Sequence, residues 1–226
     1  FNFMTLCIIP ARSGSKRLAN KNILPYKGKP LLHHTVKTAL SSDLFTKIIV
    51  SSDDEWYLDI AVNAGAFPHK RNPEYATDSS TVVDVCLDVL DQNDCEYFCC
   101  LYATAVLVSE STLRDAHAKF NFDTRDMGAE VLMGVSRFNY HPVQAMELLS
   151  TGYAKPLFQN YYEKQSQFYP NVCVSNGTFY WADSYKFKHN KTFYPEKLTV
   201  FELAEKEVCD INDDNDYRNL LKRQKL

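Results

Sequence analysis

The segment Thr5–Asn22 reads TLCIIPARSGSKRLANKN and joins a short apolar run to a polar, basic loop. The first part, Thr5–Ile9, is apolar and rich in β-branched residues, which predicts a buried strand. Pro10–Arg17 follows directly, with small residues at positions 13–15 and cations at positions 12, 16 and 17. Small residues let backbone N–H groups approach a phosphate, and the cations supply countercharge. The segment predicts an anion-binding loop after a strand, although a solvated basic turn would have the same composition.

The loop does not follow the common phosphate-binding patterns. It matches neither the G-x-x-x-x-G-K-[ST] loop of kinase-type enzymes nor the G-x-G-x-x-G dinucleotide fingerprint. Lys21 and Asn22 come next and add a cation and an amide that is able to hold a ribose hydroxyl or a phosphate oxygen.

Outward from this loop, short apolar runs alternate with amphipathic segments. Further strands are predicted at Lys47–Ser51, Tyr97–Leu101, Val131–Val135 and Gly177–Trp181. Helices are predicted at Pro30–Leu40, Asp54–Ala64, Thr81–Leu90, Glu110–Phe120 and Asp214–Lys225. This alternation predicts an α/β fold with a mostly parallel sheet and helices on both faces. Such sheets bind ligands outside the carboxyl ends of their strands, which places the functional residues after Ile9, Val50 and Leu101.

The stretch 138–174 differs from the rest of the chain. It is rich in Tyr, Phe, Gln and Pro and shows little periodicity. We interpret it as an inserted arm, either a contact surface for a partner or a lid over the site. Because no linker, repeat or low-complexity tract is present, residues 1–226 are expected to form a single domain.

Composition narrows the possible partners. Of 226 residues, 45% are hydrophobic and 23% are charged, which is ordinary for a globular protein. The formal net charge of −3 argues against a general nucleic-acid surface, and no apolar run approaches the ~18 residues of a membrane helix. Phe1–Phe3 precede Met4 and do not resemble a signal peptide. We expect a cytoplasmic protein that binds neither nucleic acid nor membranes.

The seven cysteines include no C-x-x-C pair and lie mostly in apolar surroundings. Cys99 and Cys100 are adjacent in a predicted strand, so their side chains point to opposite faces of the sheet. We interpret the cysteines as reduced core residues.

The opening loop also resembles a known signature. With its strand, it is similar to the IPARGGSK…P-x-KN motif of the acylneuraminate-type cytidylyltransferases, which activate nine-carbon and related acidic sugars. Ser51–Asp54 resembles the STDD of that family, and Arg71–Ser80 resembles its R-P…L-A-x-D-x-S-S segment. Asn176–Tyr180 resembles its NG-x-x-Y strand, and Asp210–Asn212 resembles its D-I-D. Since these motifs occur in the family's order over nearly the whole chain, the chain is identified as a member, with a Rossmann-like nucleotidyltransferase fold.

Local features resemble one branch of this family, the pseudaminic acid cytidylyltransferases. Leu101–Val106 reads LYATAV, where sialic acid synthetases usually read LQPTSP. Val135–Phe138 with Pro142–Gln144, and Phe158–Gln159 ahead of Ser166–Gln167, are also similar to that branch.

The resemblance implies transfer of CMP from CTP to the anomeric hydroxyl of a nonulosonic acid, with pyrophosphate leaving. It also implies Mg²⁺ as cofactor and a homodimer. Arg12 and Lys21 are the implied catalytic residues, since phosphoryl transfer mainly needs positioning and neutralisation of charge. The implied nucleotide-binding residues are Ala11, Ser13, Gly14, Ser15, Asn22, Arg71 and Ser80. The implied sugar-side residues are Tyr102, Gln144 and Gln167, and the implied metal ligands are Asp210 and Asn212.

Several of these residues have ordinary structural alternatives. Arg71 would otherwise form a surface salt bridge, Tyr102 would be a core aromatic at a strand end, and Gln144 would be a loop residue. Asp213, Asp214 and Asp216 are expected to cap the last helix rather than bind metal.

Two residues depart from the family pattern. Ser13 replaces a glycine, which requires only a negative φ at this position. Asn212 replaces the second acid of D-I-D, and its amide oxygen brings no charge to a cation. We therefore expect weaker Mg²⁺ affinity with activity retained.

Alternative functions remain at this point. The same transfer to sialic, legionaminic or an eight-carbon ulosonic acid would use the same motifs. A catalytically silent CTP-binding module is motivated by Asn212. A pure interaction protein would leave the clustered motifs at strand ends unexplained.

Overall fold

The computed structural model describes residues 4–77 and 79–223, so Phe1–Phe3 lie outside the described residues. Its strands are β1 (Thr5–Pro10), β2 (Pro25–Tyr26), β3 (Lys29–Pro30), β4 (Lys47–Ser52), β5 (Phe67–Lys70), β6 (Tyr97–Leu101), β7 (Val131–Ser136), β8 (Met146–Leu148), β9 (Ala154–Pro156), β10 (Val174–Asp183) and β11 (Leu198–Glu202). Its α-helices are α1 (Leu31–Ser41), α2 (Glu55–Ala64), α3 (Val82–Asp91), α4 (Glu110–Met127), α5 (Ser184–Asn190) and α6 (Asp214–Lys222). The predicted alternation of strands and helices is confirmed.

Seven strands form the central sheet, in the order β11-β7-β10-β6-β1-β4-β5. Strand β10 runs antiparallel to β6 and β7, and the other neighbouring pairs are parallel. The carboxyl ends of β1, β4, β5 and β6 therefore lie along one edge of the sheet. That edge carries the loop that follows Pro10.

Helices pack on both faces of the sheet, as predicted. On one face, α1, α2 and α4 contribute buried residues such as Val36, Ala61 and Phe120 to a cluster that includes Cys99. On the other face, α3 and α5 pack with Cys100. The two adjacent cysteines thus point into different cores, and all seven cysteines are free thiols.

Side-chain caps fix the helix starts next to this edge. Asp54 accepts a hydrogen bond from the Trp56 amide at the start of α2, and Gly65 ends that helix at φ 104°. Thr81 and Asp84 form a capping box at the start of α3. The start of α2 thus lies directly after β4, whereas residues 71–81 separate β5 from the start of α3.

The last helix begins as predicted. Asp213 and Asp216 form the capping box of α6. The described part of α6 ends at Lys222, and residues 224–226 of the predicted helix lie outside the described residues. Buried Ile211 and Leu220 pack against Tyr26 and Leu31, which brings the Asp210–Asn212 segment close to the loop after β1.

Several elements were not predicted from the sequence. Strands β5 and β11 form the two edges of the sheet and are short and partly exposed, so they lack a strong apolar pattern. Helix α5 spans only seven residues. Within the 138–174 arm, β8 and β9 form a small hairpin that is separate from the main sheet. Among the described residues, no helix is both long enough and apolar enough to cross a membrane.

Candidate active site

A cleft of about 480 Å³ opens at the carboxyl ends of β1, β5 and β6. It lies where the sequence places the functional residues. Its lining consists of Pro10, Arg12, Ser15, Lys16, Arg17, Lys21, Asn22, Arg71, Ser80, Thr81, Val82, Val85 and Tyr102. Most of the predicted nucleotide-side residues are therefore brought together in one depression that is rich in cations.

The start of the loop is held by a carboxylate from the next strand. The Ser13 amide donates to Asp53 Oδ1 at 2.9 Å, and Ser13 Oγ donates to Asp53 Oδ2 at 2.8 Å. Burial raises the pKa of Asp53, but these hydrogen bonds and the charge of Arg71 outweigh burial and leave the pKa below its ordinary value. The hydroxyl that distinguishes Ser13 from a glycine thus supports the shape of the loop.

Two of the small residues in the loop already use their backbone amides for hydrogen bonds within the protein. The Ser13 amide is engaged by Asp53, and the Ser15 amide donates to the Ser13 carbonyl at 2.9 Å. A Cβ built on Gly14 would meet nothing within 4 Å, so the loop is open at that point. Ala11 is buried beneath the loop and its amide donates to the Ser51 carbonyl at 2.9 Å.

Arg12 and Asn22 tie the loop to its surroundings. Arg12 Nη1 donates to the Thr77 carbonyl at 2.8 Å, across the cleft. Asn22 is buried and its Nδ2 donates to the Arg12 carbonyl at 3.0 Å. A ribose contact from Asn22 could use its Oδ1 as acceptor or the second N–H of Nδ2 as donor. Ser80 also has a structural partner, since its Oγ donates to the Glu74 carbonyl at 3.0 Å. Asp78, which falls within the Arg71–Ser80 motif, lies outside the described residues.

Arg71 is a buried cation on the cleft wall, with only 4% of its surface exposed. Its Nη2 donates to the Ser51 carbonyl at 2.9 Å, and its Nε donates to Ser51 Oγ at 3.3 Å. Burial lowers the pKa of Arg71, while the nearby Asp53 opposes this shift. Burial and these bonds to Ser51 contradict the alternative of a surface salt bridge.

The predicted metal ligands lie beside the cleft. Asn212 Oδ1 accepts from Arg17 Nη2 at 2.7 Å, and Asn212 Nδ2 donates to Asp210 Oδ2 at 2.8 Å. Burial lowers the pKa of Lys21, and the charges of Asp210 and Asp216 oppose this shift. The two ends of the chain thus meet around Lys21 and Asn212.

The side-chain oxygens of Asp210 and Asn212 determine how a divalent cation would bind beside the cleft. In the described part of the chain, no group of three or more His, Cys, Asp or Glu side chains is placed to hold a metal. Asp210 offers a carboxylate, whereas the Asn212 oxygen is already bonded to Arg17. Mg²⁺ usually keeps waters and binds through one or two carboxylates plus substrate phosphates. The residues fit such a shared site and do not form a complete protein cage.

Of the three predicted sugar-side residues, one lines the cleft and two do not. Tyr102 lines the cleft and also packs edge-on against Tyr180, with ring centroids 5.9 Å apart. Burial raises the pKa of Tyr102, with further contributions from its neighbours Cys100 and Tyr180, so its hydroxyl is neutral. Gln144 and Gln167 lie on the arm with exposed side chains and are not among the residues that line the cleft.

Sequence reasoning left out residues behind the cleft. Asp53 lies within the Ser51–Asp54 motif, but the motif alone does not indicate its contact with Ser13. His69 and Asp88 lie behind Arg71 and contact each other, with 3.6 Å between His69 Nε2 and Asp88 Oδ2. No local signal identified them, because β5 was not predicted.

Comparison with known proteins agrees with this geometry. Residues 6–201 match the cytidylyltransferase family. The pseudaminic acid cytidylyltransferase of Campylobacter jejuni is 34% identical over 215 residues, which span 92% of this chain and 90% of that protein. The CMP-N,N'-diacetyllegionaminic acid synthase of Legionella pneumophila is 33% identical over 202 residues, which span 84% and 83% of the two chains.

A solved structure shows the same fold. A CMP:2-keto-3-deoxy-manno-octonic acid synthetase, complexed with CTP, superposes with a TM-score of 0.72 at 17% identity, over 99% of this chain and 100% of that one. The chain belongs to the cytidylyltransferase family and is a nucleotidyltransferase by descent. The expected resemblance to the branch named for pseudaminic acid is also confirmed.

Proposed function

We propose that this enzyme transfers CMP from CTP to the anomeric hydroxyl of pseudaminic acid. The hydroxyl oxygen attacks the α-phosphorus, a new P–O bond forms, and the bond to the pyrophosphate oxygen breaks. The hydroxyl proton leaves to solvent, and pyrophosphate departs with the bonding electrons. A relative that is 34% identical over 92% of the chain carries the name of this activity, which supports the choice of sugar.

The observation that carries the proposal is the cluster of cations on the cleft wall. Arg12, Lys21 and Arg71 line one depression at the carboxyl ends of parallel strands. A triphosphate is the most strongly anionic part of either substrate, and preorganised cations stabilise it best where water is partly excluded. Arg12 and Lys21 then neutralise charge on the triphosphate and on the departing pyrophosphate.

Asn22, Ser80 and the loop 11–15 would position the nucleotide. Tyr102, with its neutral hydroxyl at the cleft wall, would contact the sugar. Gln144 and Gln167 are exposed on the arm and do not line the cleft of this chain, so their proposed contact with the sugar rests on the motif resemblance alone.

The test is pyrophosphate release from CTP with Mg²⁺ and a panel of purified acid sugars. We expect release with pseudaminic acid at a kcat/KM at least ten times that for sialic, legionaminic or an eight-carbon ulosonic acid. Preference for another of these sugars would contradict the assignment of the branch. CTP binding without pyrophosphate release with any sugar would instead favour the silent module motivated by Asn212.

We also propose Mg²⁺ as the cofactor, held through Asp210 and the substrate phosphates. When bound, the ion would neutralise phosphate charge and polarise the α-phosphorus. Asn212 contributes less than a carboxylate would, since its oxygen is neutral and accepts from Arg17.

The Asn212→Asp variant tests the role of this amide. It restores a second carboxylate beside Asp210, and we expect the Mg²⁺ concentration for half-maximal activity to fall several-fold. Titration of activity with Mg²⁺ measures this, with Asn215→Asp on α6 as the charge-matched control. An unchanged requirement in Asn212→Asp would contradict the proposed weakness of the site.

For the arm we propose contact with a second copy of the chain. Tyr140, Leu148 and Tyr153 are 86%, 84% and 75% exposed, which is unusual for large apolar side chains that lie on one segment. Light scattering of the purified protein is expected to give twice the monomer mass. The Leu148→Glu variant is expected to give a mass closer to that of the monomer. A monomeric wild-type protein would favour the alternative of a lid.

We further propose a cytoplasmic location. Seven free thiols fit a reducing compartment, where disulfides are rare. Fractionation of cells that express the tagged protein tests this directly.

A further inference from the structure

A chain of polar side chains lies behind the cleft, begins at the exposed Gln92 and ends at Arg71, with His69 and Ser51 buried between them. It runs from α3 through β5 to β4, and none of its members except Arg71 lines the cleft. Ser51 and His69 are partners in the parallel register of β4 and β5, so their side chains stand next to each other on one face of the sheet.

The hydrogen bonds give this chain a direction. Gln92 Nε2 lies 3.3 Å from the Asp88 carbonyl and 3.1 Å from His69 Nε2. Because a carbonyl only accepts, the amide nitrogen of Gln92 is the donor, and His69 Nε2 accepts its other proton. The neutral imidazole therefore carries its own proton on Nδ1, which lies 3.1 Å from Ser51 Oγ.

Ser51 joins the imidazole to the guanidinium. Its Oγ accepts from His69 Nδ1 at 3.1 Å and from Arg71 Nε at 3.3 Å, and its carbonyl accepts from Arg71 Nη2 at 2.9 Å. An arginine side chain loses rotamer freedom when it is fixed. A serine oxygen that is itself held in place therefore pre-organises the cation before a ligand arrives.

The ring is neutral at pH 7. Burial lowers the pKa of His69, the carboxylate of Asp88 on α3 opposes this shift, and the cations Arg71 and Lys47 add to it. A neutral ring avoids a second buried positive charge next to Arg71.

We propose that His69 is a positioning residue that fixes Arg71, through Ser51, for contact with the phosphates of CTP. This inference rests on the proposed function, because it takes Arg71 as a nucleotide contact. It goes beyond that function in assigning a role to a side chain that does not touch the cleft.

The test is calorimetric titration of the purified protein with CTP and Mg²⁺, without sugar, so that no turnover occurs. We expect His69→Phe, which fills the site but lacks the Nδ1 donor, to weaken CTP binding about five- to tenfold. His69→Asn places an amide N–H near the Nδ1 position and is expected to bind CTP within about twofold of the wild type. The exposed His189 supplies the control His189→Phe, which is expected to leave CTP binding unchanged.

A double-mutant cycle separates positioning from general loosening of the fold. If His69 acts through Arg71, His69→Phe weakens CTP binding less than about twofold further in an Arg71→Ala background. Equal losses in both backgrounds would overturn the inference, as would unchanged binding in His69→Phe. Thermal unfolding of each variant checks that the compared proteins are folded.

The outcomes also separate this inference from the proposed function. A wild-type protein that does not bind CTP would overturn both. A wild-type protein that binds CTP and releases pyrophosphate, with His69→Phe indistinguishable from it, would overturn the role of His69 alone.

Discussion

The region from Thr5 to Ser136 and the arm at 138–174 are built in opposite ways. In the first, five of the six residues of β1 are buried, and the loop that follows it is tied to the neighbouring strand through Asp53. In the arm, every residue of the β8 strand is exposed. The difference shows that the cleft stands on a buried and hydrogen-bonded frame, whereas the arm leaves large side chains such as Tyr140 and Tyr153 exposed.

The largest expected effect tests the burial contrast directly. Phe98 on β6 is fully buried in the core that α3 and α5 cover, whereas Phe168 on the arm is 65% exposed. We expect Phe98→Ala to lower the free energy of unfolding by about 3–5 kcal/mol, because it removes a large buried side chain and leaves a cavity. Phe168→Ala is expected to change it by less than about 0.5 kcal/mol. Urea denaturation measures both, and a large loss in Phe168→Ala would show that the arm packs more tightly than its exposure indicates.

The next effect compares two lysines. Lys21 lines the cleft, whereas Lys155 pairs with Glu147 on the arm at 2.9 Å, and both partners of that pair are exposed. We expect Lys21→Ala to lower kcat/KM about 100-fold, because it removes a preorganised cation from the triphosphate. Lys155→Ala is expected to lower kcat/KM less than about twofold, since exposed ion pairs contribute little. Steady-state pyrophosphate assays decide, and comparable losses in both variants would mean that the arm is part of the catalytic machinery.

The smallest effect concerns the serine that replaces the family's glycine. Ser13→Gly removes the 2.8 Å hydrogen bond from Ser13 Oγ to Asp53 and keeps the bond from the amide. We expect kcat/KM to fall about fivefold, which corresponds to about 1 kcal/mol for one charge-assisted hydrogen bond. Ser166→Gly on the arm is the matched control. An unchanged kcat/KM in Ser13→Gly would show that the amide bond alone holds the loop.

Much of this arrangement was predictable before the structure. Thr5–Ile9 and Tyr97–Leu101 are short and mostly apolar runs, so both strands were placed within a residue of where they lie. The cap of the last helix was also predicted, because Asp213 precedes α6 at the position where a side-chain oxygen binds free amides. Edge strand β5 was missed because its partly exposed FPHK sequence has neither alternation nor a sustained apolar run.

The sequence predicted which residues form the candidate site better than it predicted the contacts that those residues make. Arg12, Lys21 and Arg71 were named from motifs, and the structure places all three in one cleft. No pattern indicated that Ser13 would be held by Asp53, or that Asn212 would accept from Arg17, because these partners lie 40 and 195 residues apart. Gln144 and Gln167 were named from short strings, and their predicted contact with the sugar stays a prediction.

The sequence by itself determined the α/β fold, the family and the cations of the loop after β1. These properties follow from local periodicity, from caps and from motifs that are contiguous in the chain, so each could be read without knowing what lies across the sheet. The tertiary structure alone decided which groups restrain the cations that line the cleft. The buried His69 and Ser51 behind Arg71, and the meeting of Arg17 with Asn212, depend on strand order and on the packing of α6. Such contacts are set by the packing of distant segments, which leaves no local pattern in the chain.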